Sequence, residues 1–506
     1  MASMRRLSLL LVALLASCGQ SSSLTIEVLH PTTFPQTAAG DVKVSILAAD
    51  GKAVLQQTVP LKSLAQRHLA DGLSFSEGKP YVLRLEASGL TGGPCSRAVG
   101  QTTFTYRGSG SQRVYFDCAD ASSATGGLLT SRGGHTATYL AKLSQVVIAG
   151  GATVESLADL AKASGHTSLE SYSLADGQVY ALTGDTLDPG RVGHQAIAWG
   201  EDQAVLLGGI KRNTGLPPLL GLTEVRRIQT PETGKVEVKN VDTSMRQARG
   251  LHAIVPLKEG RALLVGGAES FNILFEPQAA AQGAEIYDVK EGKPVPTPVA
   301  GTGTVRIYPA AAPFGANRAL VAGGSVQKSS TPVTQLQYFC GEKGGFCTCT
   351  PPCFQDGPSL GERLYLTATY VPCADGTSGA VYLVGGLEKP LGKDVPHAEI
   401  HCVSTSDTGR LQPYGSLKTA RSSHTTTLVR GGNGQRLFVA GGTNGGSLST
   451  AEVVPVTCDC KPGGPITQVT LRANRTGHTA TLLPDGTVLL AGGYSESTVE
   501  RFNPDL

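Results

Sequence analysis

Arginine, histidine and glutamate are residue types from which anion-binding and proton-transfer sites are built, and this chain spaces them regularly. Histidine follows arginine by three at Arg132 and His135, Arg191 and His194, Arg249 and His252, Arg421 and His424, and Arg475 and His478. A short strand-like stretch further on carries an acid: Glu170, Glu224, Glu285, Glu399, Glu452 or Glu500, with Gln337 in one copy. Brought into one cleft, a guanidinium, an imidazole and a carboxylate would hold an anion and move a proton. The repetition argues against that. A site is built once, whereas residues present in copy after copy serve each copy. They are read as structural, arginine of a first strand pairing with the acid of a third, and no catalytic residue is assigned. Arg306-Ile-Tyr-Pro and Arg363-Leu-Tyr-Leu lack the histidine, so it is dispensable.

The elements that must position these residues form a repeat. Double glycines end apolar runs at Gly150-Gly151, Gly208-Gly209, Gly266-Gly267, Gly323-Gly324, Gly385-Gly386, Gly441-Gly442 and Gly492-Gly493, seven in all, 51 to 62 residues apart. Between arginine and Gly-Gly lie two alternating strands and a turn; in the last copy the turn is Asp485-Gly486, a pair that favours positive φ. The pattern resembles the kelch repeat over residues 128–506. The resemblance implies an all-β fold: a seven-bladed β-propeller with one four-stranded blade per copy. Kelch copies usually carry a tryptophan in strand four, and here the single tryptophan is Trp199, in a first strand. The chain stops after strand three of the seventh copy, so residues near Leu128 and Leu129 are expected to supply its fourth strand.

The N-terminus reads as an address. Arg5 and Arg6 precede an apolar run, Leu7 to Leu15, too short to span a bilayer. Leu15-Ala16-Ser17-Cys18 resembles the bacterial lipobox. That implies a leader over 1–17, lipid on Cys18, a tether over 18–23 and an outer-membrane location. Removing two arginines takes the formal charge from +3 to +1, and with no basic block nucleic acid is excluded as a partner. Residues 24–118 alternate apolar and polar side chains, as in TIEV and YVLRLEA, and read as a small β-sandwich, immunoglobulin-like or transthyretin-like. ADASSATGG, 119–127, reads as a linker.

Ten cysteines remain beyond Cys18, an even number suited to an oxidising compartment. Cys95 and Cys118 precede the repeats and are expected to pair. The pairing of Cys340, Cys347, Cys349, Cys353, Cys373, Cys402, Cys458 and Cys460 stays open. The run CGEKGGFCTCTPPC has a metal-cluster look, but without histidine at finger spacing disulfides are favoured and no metal or other cofactor is assigned.

Function is expected where the copies differ. The loops after Gly-Gly are long in the early copies and place Leu216, Leu219, Leu220, Phe271 and Phe275 on one face, a surface suited to a partner. The expectation is a membrane-anchored, non-catalytic module that binds protein or glycan. The alternative is a carbohydrate-active enzyme on the same ring: a galactose oxidase-like copper oxidase, or a sugar mutarotase or lyase. The copper site of such an oxidase needs two tyrosines, two histidines and a cysteine joined to one tyrosine. Outside the repeat slots only His30, His68, His166, His397 and His401 are available, and no motif carries the ligands over.

Overall fold

The computed structural model of the full chain describes residues 5–12, 23–31, 38–63, 75–107, 110–155, 159, 163–212, 215–272, 276–295, 299, 305–315, 317–326, 333–343, 347–388, 394–406, 409–431 and 434–505. Among them there is no α-helix, and no helix long and apolar enough to cross a membrane.

The alternating N-terminal stretches pack as two sheets. Ser23–His30 lies between Arg5–Val12, antiparallel, and Gly110–Tyr115, parallel. The second sheet runs in the order Ala53–Pro60, Asp41–Ala48, Pro80–Ser88, Arg97–Thr105, Asp117–Cys118. Every second side chain points inward, so Val42, Val44, Ile46, Leu83 and Leu85 meet Ile26, Val28 and Val114 in one core. The segment read as a leader thus supplies Arg5–Val12 to a sheet of the full chain; Cys18, the lipidation residue, lies outside the described residues.

The repeats form seven units, one per copy, of four antiparallel strands each, arranged as a β-propeller; in the second, Thr183–Gly184 adds a short fifth strand parallel to Lys235–Asn240. The first is Gly133–Leu140, Gln145–Ala152, Leu169–Ser173, Val179–Ala181. Its second strand, QVVIAGGA, is buried along its whole length because neighbouring blades cover both its faces. The Gly-Gly pair makes the blade-to-blade joint. The second glycine donates its N–H to the carbonyl of the next blade's repeat arginine in all seven cases, from Gly151 to Arg191 at 2.9 Å through to Gly493 to Arg132 at 3.0 Å, which closes the ring. The first glycine of each pair has positive φ, and a Cβ there would collide with that same arginine carbonyl.

Blade seven is completed by Ala121–Gly127, which pairs antiparallel with Thr498–Asn503. This corrects two expectations: 119–127 is not a linker, and the closing strand precedes Leu128 and Leu129. ASSATGG reads as a linker because it is small and polar. It is buried as a strand because its hydroxyls find partners, Ser122 Oγ donating to Glu500 at 2.6 Å. Leu128 is buried beyond the strand and Leu129 is exposed.

The sandwich docks on the hairpin-turn side of blades six and seven. Asn503 Nδ2 donates to the carbonyls of Val99 and Asp117 at 3.0 and 2.9 Å, and Arg97 meets Asp505 at 2.7 Å. Buried Arg501 pairs with Asp485 of the blade-seven turn and stacks 3.9 Å from the Tyr115 ring centre. Five disulfides are present: Cys95–Cys118, Cys340–Cys347, Cys349–Cys353, Cys373–Cys458 and Cys402–Cys460, the last two joining blades five and six.

Candidate functional site

The repeated polar residues are internal to the blades. Each arginine enters between strands, and in six blades its Nη1 donates to the carbonyl of the first glycine of its own pair, as Arg421 does to Gly441 at 2.8 Å. Arg132 meets Glu170 at 2.5 Å, Arg249 meets Glu285 at 3.0 Å, Arg421 meets Glu452 at 3.0 Å and Arg475 meets Glu500 at 2.5 Å, all buried. The carboxylates also accept backbone N–H groups ahead of the arginine, such as Lys418 to Glu452 at 2.7 Å. In blade four Arg306 uses Gln337 at 3.2 Å, and Gln337 passes the contact on to Asp356 at 3.0 Å. Burial pulls Arg306 down to about 10.

The histidines are clips between blades. His194 Nε2 lies 2.9 Å from Thr136 Oγ1 of the preceding blade, His424 3.0 Å from Thr367, His478 2.9 Å from Thr425, and His135 3.0 Å from Thr479 across the ring closure. His252 faces Gln195 instead of a threonine, and its ring nitrogens have no partner among the described residues. Burial, with the arginine three residues earlier, holds His135 and His424 down to about 3 from the ordinary 6.5 and His194 and His478 well below it. The folded protein keeps these rings neutral while the unfolded chain protonates near 6.5. Their contribution to stability is therefore complete above pH 6.5 and falls as pH drops from there toward about 3. Urea midpoints measured between pH 7 and 4 should fall with pH, and His478→Gln should flatten that slope by about one proton.

Two of the assigned acids pair with their arginines from a different register position. The residue two before Gly-Gly faces Glu170, Glu285, Glu452 and Glu500 in blades one, three, six and seven. In blades two and five the same position faces Arg226 and His401. Glu224 and Glu399 sit two residues earlier, on the same strand face by the period of two, and nearer the loop side. Glu224 is shared by Arg191 at 3.0 Å and Arg226 at 2.7 Å. Glu399 is half exposed and lies 3.4 Å from Arg363. In blade five the Arg363 Nη1 instead bonds the Glu362 carbonyl at 2.8 Å and His397 Nε2 at 3.0 Å. His397 Nδ1 in turn meets Glu399 at 2.8 Å, and Glu388 approaches Nε2 at 3.4 Å. Blade five thus brings an arginine, a histidine and two carboxylates to the loop face.

The early loops do not present a free apolar surface. Ile210–Arg212, Leu219–Gly221, Ala268–Phe271 and Pro277–Ala280 join as a four-stranded sheet shared by blades two and three. Strand alternation then turns Leu219 and Phe271 inward, where they are fully covered with Val192, Ile210 and Ile307. Leu220 is half-buried, Leu216 is 93 % exposed at the hairpin tip, and Phe275 lies outside the described residues. Of the four described candidates, Leu216 alone is a fully presented apolar contact. Leu219 and Phe271 are core, because pairing of the two loops buries one face of each.

The axial mouth on this face was not read from the sequence. The residue two after each repeat arginine has positive φ in all seven blades: Gly134, Gly193, Leu251, Tyr308, Tyr365, Ser423 and Gly477. These residues bond around the axis, Gly193 N–H to Gly134 carbonyl at 2.9 Å, Leu251 to Gly193 at 2.9 Å, Ser423 to Tyr365 at 3.0 Å and Gly134 to Gly477 at 2.9 Å. Glycine suits the position. Tyrosine at φ 58° and 53° is strained, in the two blades that also lack the histidine. The Tyr308 and Tyr365 rings lie 4.6 Å apart at 50° with their hydroxyls hydrogen-bonded, and Tyr494, the residue after the last Gly-Gly, covers Gly133 and Gly477 beside them. Burial pushes Tyr365 up to about 12 and raises Tyr308 and Tyr494, so all three phenols stay protonated. The signal was present in Arg306-Ile-Tyr-Pro and Arg363-Leu-Tyr-Leu, where tyrosine stands in a slot that is glycine in three copies.

No protein-family model matches the chain. No curated protein matches it either. Solved structures do. One is described as the structure of YjhT, with 13% identity and a TM-score of 0.46, covering 68% of this chain and 98% of that one. Another is a fungal alcohol oxidase of the AA5 family in complex with copper, with 14% identity and a TM-score of 0.52, covering 74% of this chain and 75% of that one. The chain has a kelch-like propeller fold. At such identity the likeness extends to the fold and no further. Among the described residues the side chains do not fit a copper site of the galactose oxidase kind. All ten cysteines among the described residues are in disulfides, leaving none to join a tyrosine. The repeat histidines are enclosed between blades, and His397 is held by Arg363, Glu388 and Glu399.

Proposed function

We propose that this chain is a lipid-anchored, extracytoplasmic binding protein whose propeller holds a glycan at the axial mouth of its loop face, without acting on it chemically. The observation that carries the reading is the pair Tyr308 and Tyr365, held in left-handed backbone conformation where the fold would accept glycine. Strain kept in adjacent blades implies a use for the side chains. Phenol rings offer apolar faces to the C–H side of a pyranose and neutral hydroxyls to its oxygens. Arg363, His397, Glu388 and Glu399 supply the convergent polar groups that fix orientation in such sites. Membrane anchoring through Cys18 rests on the lipobox resemblance alone.

Tyr365→Gly separates binding from folding. It relieves the positive φ, so thermal stability should stay level or rise by up to about 1 kcal/mol. Glycan affinity, read by calorimetry against oligosaccharides retained on an envelope-glycan array, should drop at least about tenfold, the equivalent of one lost aromatic contact. Unchanged affinity for every retained glycan would remove the mouth as the site.

A second reading, a sugar mutarotase or lyase at the same mouth, has one observation in its favour: His397 stands between two carboxylates and a guanidinium, an arrangement able to move a proton. Exchange between anomers, or formation of an unsaturated sugar, followed by proton NMR with the retained glycan, would convert the binding protein into an enzyme.

A further inference from the structure

The five-stranded sheet of the sandwich has two unlike edges. Asp117–Cys118 ends one side and leads directly into Ala121–Gly127 of blade seven. Ala53–Pro60 ends the other, and among the described residues no strand pairs with its outer side. Leu61 N–H bonds the Gly40 carbonyl at 2.9 Å, and this contact sets the parity of the strand. Backbone groups two residues apart point the same way, so those of Leu55, Gln57 and Val59 face Asp41–Ala48 and those of Gln56 and Thr58 face outward. Pro60 falls in the outward set, where its missing N–H breaks no ladder bond. A bulge at Val54 ends the regular stretch on the other side. Open edges are commonly blunted by charge, yet AVLQQTVP has no charged side chain. The side chains of Leu55 and Val59 lie in or against the sandwich core. Gln57 shares their face, and its Oε1 is enclosed without a hydrogen-bond partner among the described residues.

We propose that residues 55–59 pair antiparallel with the same segment of a second copy of this chain, about a two-fold axis at Gln57. Opposed residues on antiparallel strands turn their backbone groups either both toward each other or both away. A self-pair therefore centres on a residue, not between two. Centred on Gln57, Gln56 of each copy meets Thr58 of the other, and the two pairs make about four backbone hydrogen bonds. Centring on Gln56 would call on Val54, whose backbone the bulge displaces. On the core side Leu55 meets Val59 of the other copy and carries the apolar layer across the axis. The two Gln57 side chains stand opposite each other, each carboxamide donating Nε2–H to the enclosed Oε1 of the other. At either end exposed Asp50 and Lys52 of one copy come to exposed Asp41 and Lys62 of the other, and acids and bases balance. A contact of this kind is closed by its own symmetry and recruits no third copy. With so short a strand on each side the interface is small, and the dimer forms and parts at micromolar concentration or above.

Sedimentation velocity of the full chain from about 1 to about 300 µM should show a monomer–dimer equilibrium with no larger species. Thr58→Pro removes one outward N–H and leaves the bonds to Asp41–Ala48 in place. Its melting temperature should hold while dimerisation weakens at least about tenfold. Gln57→Cys sets two thiols across the axis at a pair whose Cα atoms stand about 4.5 Å apart, within disulfide reach. Mild oxidation, followed by peptide mass analysis, should link two copies at position 57. Gln56→Cys, which meets Thr58 and not its own copy, should link at least about tenfold less. A chain that stays monomeric over the whole range overturns the proposal. A dimer as tight in folded Thr58→Pro as in the wild type overturns it too, by placing the contact elsewhere. Equal cross-linking by the two cysteine variants does the same, and that comparison decides even where Thr58→Pro fails to fold.

Discussion

Arg421→Ala and Arg475→Ala each should cost about 3–5 kcal/mol of unfolding free energy, the largest effect expected of any single substitution outside the ring glycines. Both guanidiniums and both partner carboxylates, Glu452 and Glu500, are fully covered. Truncating the arginine leaves a buried carboxylate with neutral partners only, backbone N–H groups at Glu452 and a backbone N–H with the Ser122 hydroxyl at Glu500, and frees the Gly441 or Gly492 carbonyl that the arginine had satisfied. The same change at Arg363 should cost only about 1–2 kcal/mol, because half-exposed Glu399 returns to water and His397 can keep it as a partner. Denaturant unfolding of the three variants beside wild type makes the comparison. Equal losses at all three would show that blade five is an ordinary blade and would weaken the case for its polar cluster as part of a site.

Deleting Ala121–Gly127 should open the ring. Six positions of the last strand, Thr498 to Asn503, pair with this segment, and Ser122 bonds Glu500. At about 1 kcal/mol per backbone bond the direct loss is on the order of 5 kcal/mol. The exposed edge of Glu496–Asn503 then becomes a template for association. The expected result is loss of the cooperative thermal transition at its original temperature, together with aggregation. A circular permutant distinguishes closure from mere shortening. Asp505 N–H already bonds the Asp120 carboxylate at 2.9 Å. Joining the C-terminus to Asp120 therefore makes Ala121–Gly127 the covalent continuation of the blade, and stability should return. A deletion that melts like wild type would show that the blade holds with three strands.

Much of this was legible because it depends on local spacing. Arg132, His135, Glu170 and the Gly-Gly pair recur at intervals that only a repeated four-stranded unit explains, and alternation in LTIEVLH or YVLRLEA names strands without help from the fold. The slot of an acid is less legible. Glu224 and Glu399 look equivalent to Glu170, yet they stand two residues away from it in register, because a strand offers the same face every second residue and an arginine side chain can reach either. ASSATGG escaped notice as a strand since its burial is supported by hydroxyl contacts with a strand nearly four hundred residues later, not by apolar side chains.

The amino-acid sequence by itself determined the all-β class, the count of repeat copies and the paired arginines and acids, since each follows from periodicity and side-chain chemistry along one strand or one hairpin. Only the tertiary structure decided which surface is free and which residues reach it. Two loops fifty residues apart zip together and take Leu219 and Phe271 into a core, while ring closure turns seven separate arginine-plus-two positions into one axial mouth with Tyr308 and Tyr365 side by side. Contacts between blades depend on how the whole ring closes, and no window of sequence shorter than the ring contains that information.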